Sequence, residues 1–261
     1  ARLDLSSLKR PLVFVFTSDE EVGCRGAERL LPVLPTLLGE IPQPGLAWIG
    51  EPTSYQVFHT HKGVAIFNIT VQGLGGHSSV PEQGVNAIAV AGKVIDTIGR
   101  YQEELRRQPV EAFAELFPES PYTTLNFGSI RGGTAANMIA EECTLQISYR
   151  PLPQGDPRDA YHEIARRLQA LDLRDYGSPD HRARVEIAEP FIVPPLLAPR
   201  GTPLESVLFS LLDRRVSSGA RGLGDSTMIV RGPSGCRPSE SDRRRWFPEA
   251  GYPKPNTSRD G

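Results

Sequence analysis

Three observations predict an α/β chain with a second, α+β domain inserted into it. Two continuous apolar runs, residues 12–16 and 46–49, are separated by a helix-like stretch, the βαβ pattern of a parallel sheet. From residue 63 the periodicity changes to strict alternation, which marks half-buried antiparallel strands. Two stretches with helical spacing, one from Asn86 and one from Asp156, fall between those strands in the order βαββαβ, a four-stranded antiparallel sheet under two helices. The expected division is residues 1–60 and 188–261 for the α/β part and residues 61–187 for the inserted domain.

In chain order, residues 12–16 (Leu-Val-Phe-Val-Phe) read as a strand buried on both faces, since a run with no polar face suits a sheet covered by helices. The segment 26–38 is too interrupted by proline for one clean helix. Residues 46–49 form the next strand, ending at Gly50-Glu51-Pro52-Thr53. In residues 63–73, Ala65, Phe67, Ile69 and Val71 share one face. A helix from Asn86 to about residue 105 buries Ala87, Val90, Ala91, Val94, Ile95 and Ile98. Residues 123–130 are strand-like, with Leu125 and Phe127 on one face. Cys143, Leu145, Ile147 and Tyr149 alternate with Thr144, Gln146, Ser148 and Arg150. Asp156 with Pro157 reads as N-cap and first turn of a helix through Tyr161, Ile164, Leu168 and Leu171, and residues 185–187 close the sheet. Residues 203–212 are helix-like. Residues 214–261 hold nine Arg and five Pro without periodicity, too little apolar surface to offset the entropy of ordering, and are expected to be loose.

A net charge of −2 gives no reason to expect nucleic acid or an anionic membrane as partner. No apolar run reaches the ~18 residues of a membrane span. Three scattered cysteines, Cys24, Cys143 and Cys236, suggest a reducing compartment, the cytoplasm, and no disulfide framework.

The chemistry-bearing stretch is Thr17-Ser18-Asp19-Glu20-Glu21-Val22-Gly23-Cys24. In a βαβ sheet, ligands bind at the carboxyl ends of the strands, where Glu20, Glu21 and Glu51 all fall. Acidic residues ordinarily stay in water, and a solvated acidic turn is the plain alternative. Carboxylates gathered at one sheet edge are otherwise explained by a divalent metal, one carboxylate ligating while its neighbour takes a proton from bound water. His77 lies in a Gly-rich loop, where solvent is its ordinary surrounding. Arg150 is on the polar face of its strand, an ordinary exposed position and also one where a guanidinium fork suits a substrate carboxylate. His59, His162 and His181 are expected in solvent, Cys24 as a small packing residue, and Asp225 has no assigned role.

Six motifs follow in order: Ser18-Asp19-Glu20-Glu21-Val22-Gly23-Cys24, Gly50-Glu51-Pro52-Thr53, His61-Lys62-Gly63, Gly76-His77-Ser78-Ser79-Val80-Pro81, Gly84-Val85-Asn86-Ala87-Ile88 and Arg131-Gly132-Gly133-Thr134-Ala135-Ala136-Asn137. Over roughly residues 10–190 this string resembles the two-zinc amidohydrolases and exopeptidases that include acetylornithine deacetylase, succinyl-diaminopimelate desuccinylase and glutamate carboxypeptidases. The resemblance implies that residues 61–187 are a lid and dimerisation domain. It makes Glu20 the general acid/base, and Glu21 and Glu51 ligands to two zinc ions, for which cobalt can substitute. His77 becomes an oxyanion donor to a partner subunit, and Asn137 and Arg150 become substrate-binding residues. It implies hydrolysis of an N-acyl amino acid, with arginine biosynthesis as the setting and a homodimer as the assembly. A desuccinylase, a carboxypeptidase or a non-catalytic dimerising remnant are the alternatives.

The chain also departs from that pattern. No His precedes His59 and none follows His181, so the upstream His-x-Asp motif and the C-terminal histidine of the resembled proteins have no counterpart. The catalytic sheet is therefore expected to be incomplete, with weak or no zinc binding by this chain alone, since zinc sites use three or four protein ligands. An initial Ala1 and the composition after residue 214 suggest a missing N-terminal part and a change of reading frame.

Overall fold

In the computed structural model, residues 6, 8–19, 24–41, 46–50, 57–177, 181–212, 220–221 and 228–231 are described. Two short helices, α1 (Arg25–Leu30) and α2 (Leu34–Leu38), replace one long one, as Pro32 and Pro35 require. Strands β1 (Leu46–Ile49), β2 (Thr60–His61), β3 (Val64–Gln72) and β4 (Gly76–His77) precede α3 (Ala87–Arg106). Then come β5 (Thr124–Gly132), β6 (Met138–Ile139), β7 (Glu142–Arg150), α4 (Asp159–Gln169), β8 (Arg184–Ile187), β9 (Phe191–Val193), β10 (Leu196–Leu197), α5 (Pro203–Leu212), β11 (Ala220–Arg221) and β12 (Met228–Arg231).

The core is the antiparallel sheet β5-β7-β3-β8, with β9 continuing the β8 side of β3. Register follows the alternation: Ala65 faces Tyr149, Phe67 faces Ile147, Ile69 faces Leu145 and Val71 faces Cys143. All eight are buried beneath α3 and α4, which contribute Val90, Ala91, Val94, Ile98, Tyr161, Ile164 and Leu168. Phe67 meets Tyr161 edge-on at 5.4 Å, and the Tyr149 hydroxyl donates to the Pro157 carbonyl at 2.7 Å, so the one polar atom carried in by Tyr149 is satisfied. Arg167 ties the helices together, donating to Glu163 on its own helix at 2.7 Å and to Glu104 on α3 at 2.9 Å, with its guanidinium over the Tyr101 ring.

Asn86 caps α3 by accepting from the backbone N–H groups of Ile88 and Ala89. Asp156 makes the same kind of contact with the Arg158 N–H at 2.8 Å, but the helix proper starts at Asp159, after one turn closed by Asp159 N–H to Asp156 C=O. Gly133, with φ +72°, reverses the chain after β5, a conformation that disfavours any side chain. A Cβ on Gly73 would come within 2.0 Å of the Val85 carbonyl, so the approach of that loop to the α3 entrance requires glycine.

The α/β class and the antiparallel sandwich are observed; among the described residues, the parallel sheet expected for the N-terminal part is not. Residues 12–16 carry no strand, and Leu12, Phe14, Val15 and Phe16 are exposed. β1 pairs antiparallel with β12, and Trp48 is exposed. An apolar run becomes a buried strand only if neighbours supply its hydrogen bonds and cover both faces; among the described residues nothing does so for residues 12–16. The expectation that residues 214–261 are loose falls outside the described residues except for β11 and β12, and Asp225 lies outside them.

Asn86→Ala is expected to destabilise the fold by about 1 kcal/mol, read as a lower midpoint of urea unfolding with an unchanged slope.

Candidate functional site

The β4–β6 ribbon fixes the first two candidate side chains. Gly76 pairs with Ile139 and His77 with Met138, and the Ser78 N–H donates to the Asn137 carbonyl at 3.0 Å. His77 and Asn137, sixty residues apart in sequence, therefore sit side by side, both exposed. His77 Nδ1 accepts from the Ser79 N–H at 3.2 Å and lies 2.7 Å from the Ser79 hydroxyl. A ring nitrogen that accepts from a backbone N–H carries no proton in the neutral ring, so Nε2 is left as the N–H donor. That is the form needed to stabilise a developing oxyanion.

Arg150 stands elsewhere. The ribbon joins the sheet at the Glu142 end of β7, and Arg150 is at the other end, about 26 Å away at ~3.3 Å per residue. Arg150 is half-buried, and its Nη1 is buried with no hydrogen-bond partner among the described residues. Burial alone pulls its pKa below the ordinary arginine value.

Around Arg150 the fold assembles a polar corner whose chemistry the sequence did not disclose. The Gly63 N–H donates to the Pro151 carbonyl at 2.9 Å, bringing the His61-Lys62-Gly63 turn against the end of β7. His61 is buried, and its Nδ1 must donate to the Lys62 carbonyl at 2.7 Å, since a carbonyl only accepts. Burial, opposed by that hydrogen bond and reinforced by Arg150, lowers its pKa and keeps the ring neutral at pH 7. Lys62 is buried too. Its ammonium donates to the Ser120 carbonyl at 2.6 Å, the Ser120 hydroxyl at 2.9 Å and the Tyr122 carbonyl at 2.8 Å, and lies 5.2 Å from the Phe117 ring centre. Burial brings its pKa down to about 8. Backbone carbonyl acceptors have no side-chain signature, which is why sequence reasoning passed over Lys62.

His59 corrects an expectation. It is only 2% exposed, with Nδ1 buried and unpartnered among the described residues. Burial and the nearby Arg200 lower its pKa, against the pull of Glu205. The covering segment, residues 196–198, is joined to it by the Ala198 N–H to His59 C=O hydrogen bond at 2.8 Å, a partner far off in sequence. His162 and His181 are exposed, and Cys24 is half-buried at the entrance of α1.

Glu20, Glu21 and Glu51 lie outside the described residues. Among the described residues, no three His, Cys, Asp or Glu side chains are grouped so as to hold a metal. The described residues by themselves offer no donor set that fits a zinc pair. No helix among the described residues is long and apolar enough to cross a membrane.

Residues 59–175 match the sequence family described as the peptidase dimerisation domain. The matched stretch, less than half of the chain, spans the sheet through β7 and both covering helices. Over 152 residues the chain is 41% identical to the curated acetylornithine deacetylase of Klebsiella pneumoniae (strain 342), covering 58% of this chain and 37% of that protein. Among solved structures, a tripeptidase from Staphylococcus aureus superposes with a TM-score of 0.51 at 18% identity, covering 83% of this chain and 54% of that one. The chain thus spans little more than a third of the curated relative's length, and the likeness to the tripeptidase is one of fold.

Lys62 makes stability depend on pH. Its folded pKa of about 8 is below the ordinary 10.5, so between these values the unfolded chain binds more protons. The burial penalty is full below about pH 8 and is relieved as pH rises toward 10.5. Urea midpoints measured across that interval should rise in the native chain relative to Lys62→Met.

Proposed function

We propose that this chain is the dimerising, substrate-covering part of a metal-dependent amidohydrolase of the acetylornithine deacetylase kind, which cleaves the amide bond of an N-acyl amino acid. N-acetylornithine is the first substrate to test. The dimerisation domain and the 41% identity to the deacetylase support the class of reaction. In this reading His77, as an Nε2–H donor, and Asn137 polarise the scissile carbonyl, while Arg150 holds the substrate carboxylate. The roles assigned by resemblance to Glu20, Glu21 and Glu51 rest on residues outside those described, and with the zinc donor set unfitted this chain alone is proposed to be inactive.

One observation carries the assembly: His77 and Asn137 lie at one end of β7 and Arg150 at the other. A single copy cannot close both on one small substrate. A site using all three would draw His77 and Asn137 from one protomer and Arg150 from its partner. The nine-residue strand β5 pairs with β7 alone among the described residues, and Ile130 on it is 52% exposed. A long strand with one free edge and an exposed apolar side chain invites pairing with a second copy.

Sedimentation equilibrium should find a homodimer, and Ile130→Glu should weaken it about tenfold or more, the equivalent of about 1.4 kcal/mol. A native chain that stays monomeric contradicts the assembly. Metal analysis and acetate release from N-acetylornithine test the rest. A chain that retains two zinc ions and turns over would overturn the inactivity of this part, whereas the dimer result stands independently of it.

A further inference from the structure

Lys62 and Ser120 meet in a corner that the proposed amide cleavage does not use. The Ser120 N–H donates to the Phe117 carbonyl at 3.0 Å, and the Val110 N–H donates to the Pro121 carbonyl at 2.6 Å. The backbone on either side of Ser120 is thus held, and the same loop packs Phe113 and Phe117 on Leu152. The buried Lys62 side chain reaches this loop with three contacts. Its Nζ is 2.6 Å from the Ser120 carbonyl, 2.8 Å from the Tyr122 carbonyl and 2.9 Å from the Ser120 hydroxyl. Ser120 itself is half-buried, so the residue keeps some contact with solvent.

The three partners are not alike. Two are carbonyls, which only accept; the third is a hydroxyl, which accepts and donates. As an ammonium, Lys62 donates to all three. As a neutral amine it keeps two N–H groups for the two carbonyls, and its lone pair takes the Ser120 O–H. Loss of the proton therefore costs no hydrogen bond. No carboxylate pairs with Lys62 among the described residues, and burial brings its pKa down to about 8. The groups around it are the Phe117 and Tyr122 rings, 5.2 and 5.7 Å from Nζ, neutral His61 on its own turn and Arg150 at the end of β7. Glu119, next to Ser120 in sequence, is exposed. A serine hydroxyl that donates to a neutral lysine is the arrangement by which serine–lysine enzymes activate their nucleophile.

We propose that Ser120 is a nucleophile with Lys62 as its general base, and that the pair takes an acyl group from an activated ester. Ser120 Oγ attacks the acyl carbon of the ester while its proton passes to Lys62 Nζ. The bond from Oγ to the acyl carbon forms, and the bond from that carbon to the leaving oxygen breaks. The leaving group departs with the bonding pair, and Lys62 is again an ammonium facing its three oxygen partners. The step involves neither a metal nor His77, Asn137 or Arg150, so its failure would leave the proposed function as it stands.

The test treats the whole chain with p-nitrophenyl acetate over a range of pH and locates the acetyl groups by peptide mass mapping. Ser120 should be acetylated at least about tenfold faster than the exposed Ser78 and Ser210. Its rate should climb to about pH 8 and then level off, as Lys62 reaches its neutral form. A serine activated by hydroxide alone would instead keep gaining about tenfold per pH unit. Ser120→Ala should remove the label, and Lys62→Met should slow it by about tenfold or more. Should Lys62→Met fail to fold, the levelling in the native chain still decides. Acetyl spread evenly over the exposed serines, acetyl on Lys62 in place of Ser120, or a Ser120 rate that never levels overturns the proposal. So does Ser120 labelling that a folded Lys62→Met leaves unchanged.

Discussion

The pairing of β3 with β7 is the constraint on which the rest of the structure depends. Eight residue pairs in one register place Ala65, Phe67, Ile69 and Val71 beside Cys143, Leu145, Ile147 and Tyr149, and every one of them is buried. A slip of β3 by one residue would turn Asn68 and Thr70 toward the helices and leave two buried polar side chains with no partner. The register is therefore enforced by burial. Once it is set, β5 can add only on the free side of β7, β8 and β9 only on the free side of β3, and the two helices only on the apolar face.

The same pairing decides where polar chemistry can stand. The loops at the Glu142 end carry the β4–β6 ribbon, and with it His77 and Asn137 in solvent. The Arg150 end receives the His61-Lys62-Gly63 turn, whose basic groups are buried and held mostly by backbone carbonyls. One end is accessible and supplies hydrogen-bond donors; the other is enclosed and supplies a guanidinium with a buried nitrogen that has no partner among the described residues. A sheet strand of nine residues is a rigid spacer, so these two sets stay apart within one copy of the chain.

Most of the sandwich could be read from the sequence because its signals are local and period-bound: alternation in residues 64–72 and 142–150, a cap at Asn86 and helical spacing after it. What could not be read depended on distant partners. His59 sits in a polar-looking stretch and is buried because residues 196–198 return to cover it. Residues 12–16 have the composition of a buried strand, but composition does not supply a neighbour. Lys62 gave no sign because its acceptors are mainly main-chain groups. Of the candidate site, the ribbon's juxtaposition of His77 and Asn137 was implicit only in the motifs, and the distance from them to Arg150 emerged from the strand that separates them.

Amide hydrogen exchange on the intact chain tests most directly whether the β3–β7 pair organises the fold. Amides of β3 and β7 should exchange only through global unfolding, at one common free energy shared with the buried faces of α3 and α4. If β3 and β7 amides exchange through local openings well below that free energy, or if α3 and α4 stay protected while the two strands do not, the sheet is not the unit on which the structure is built.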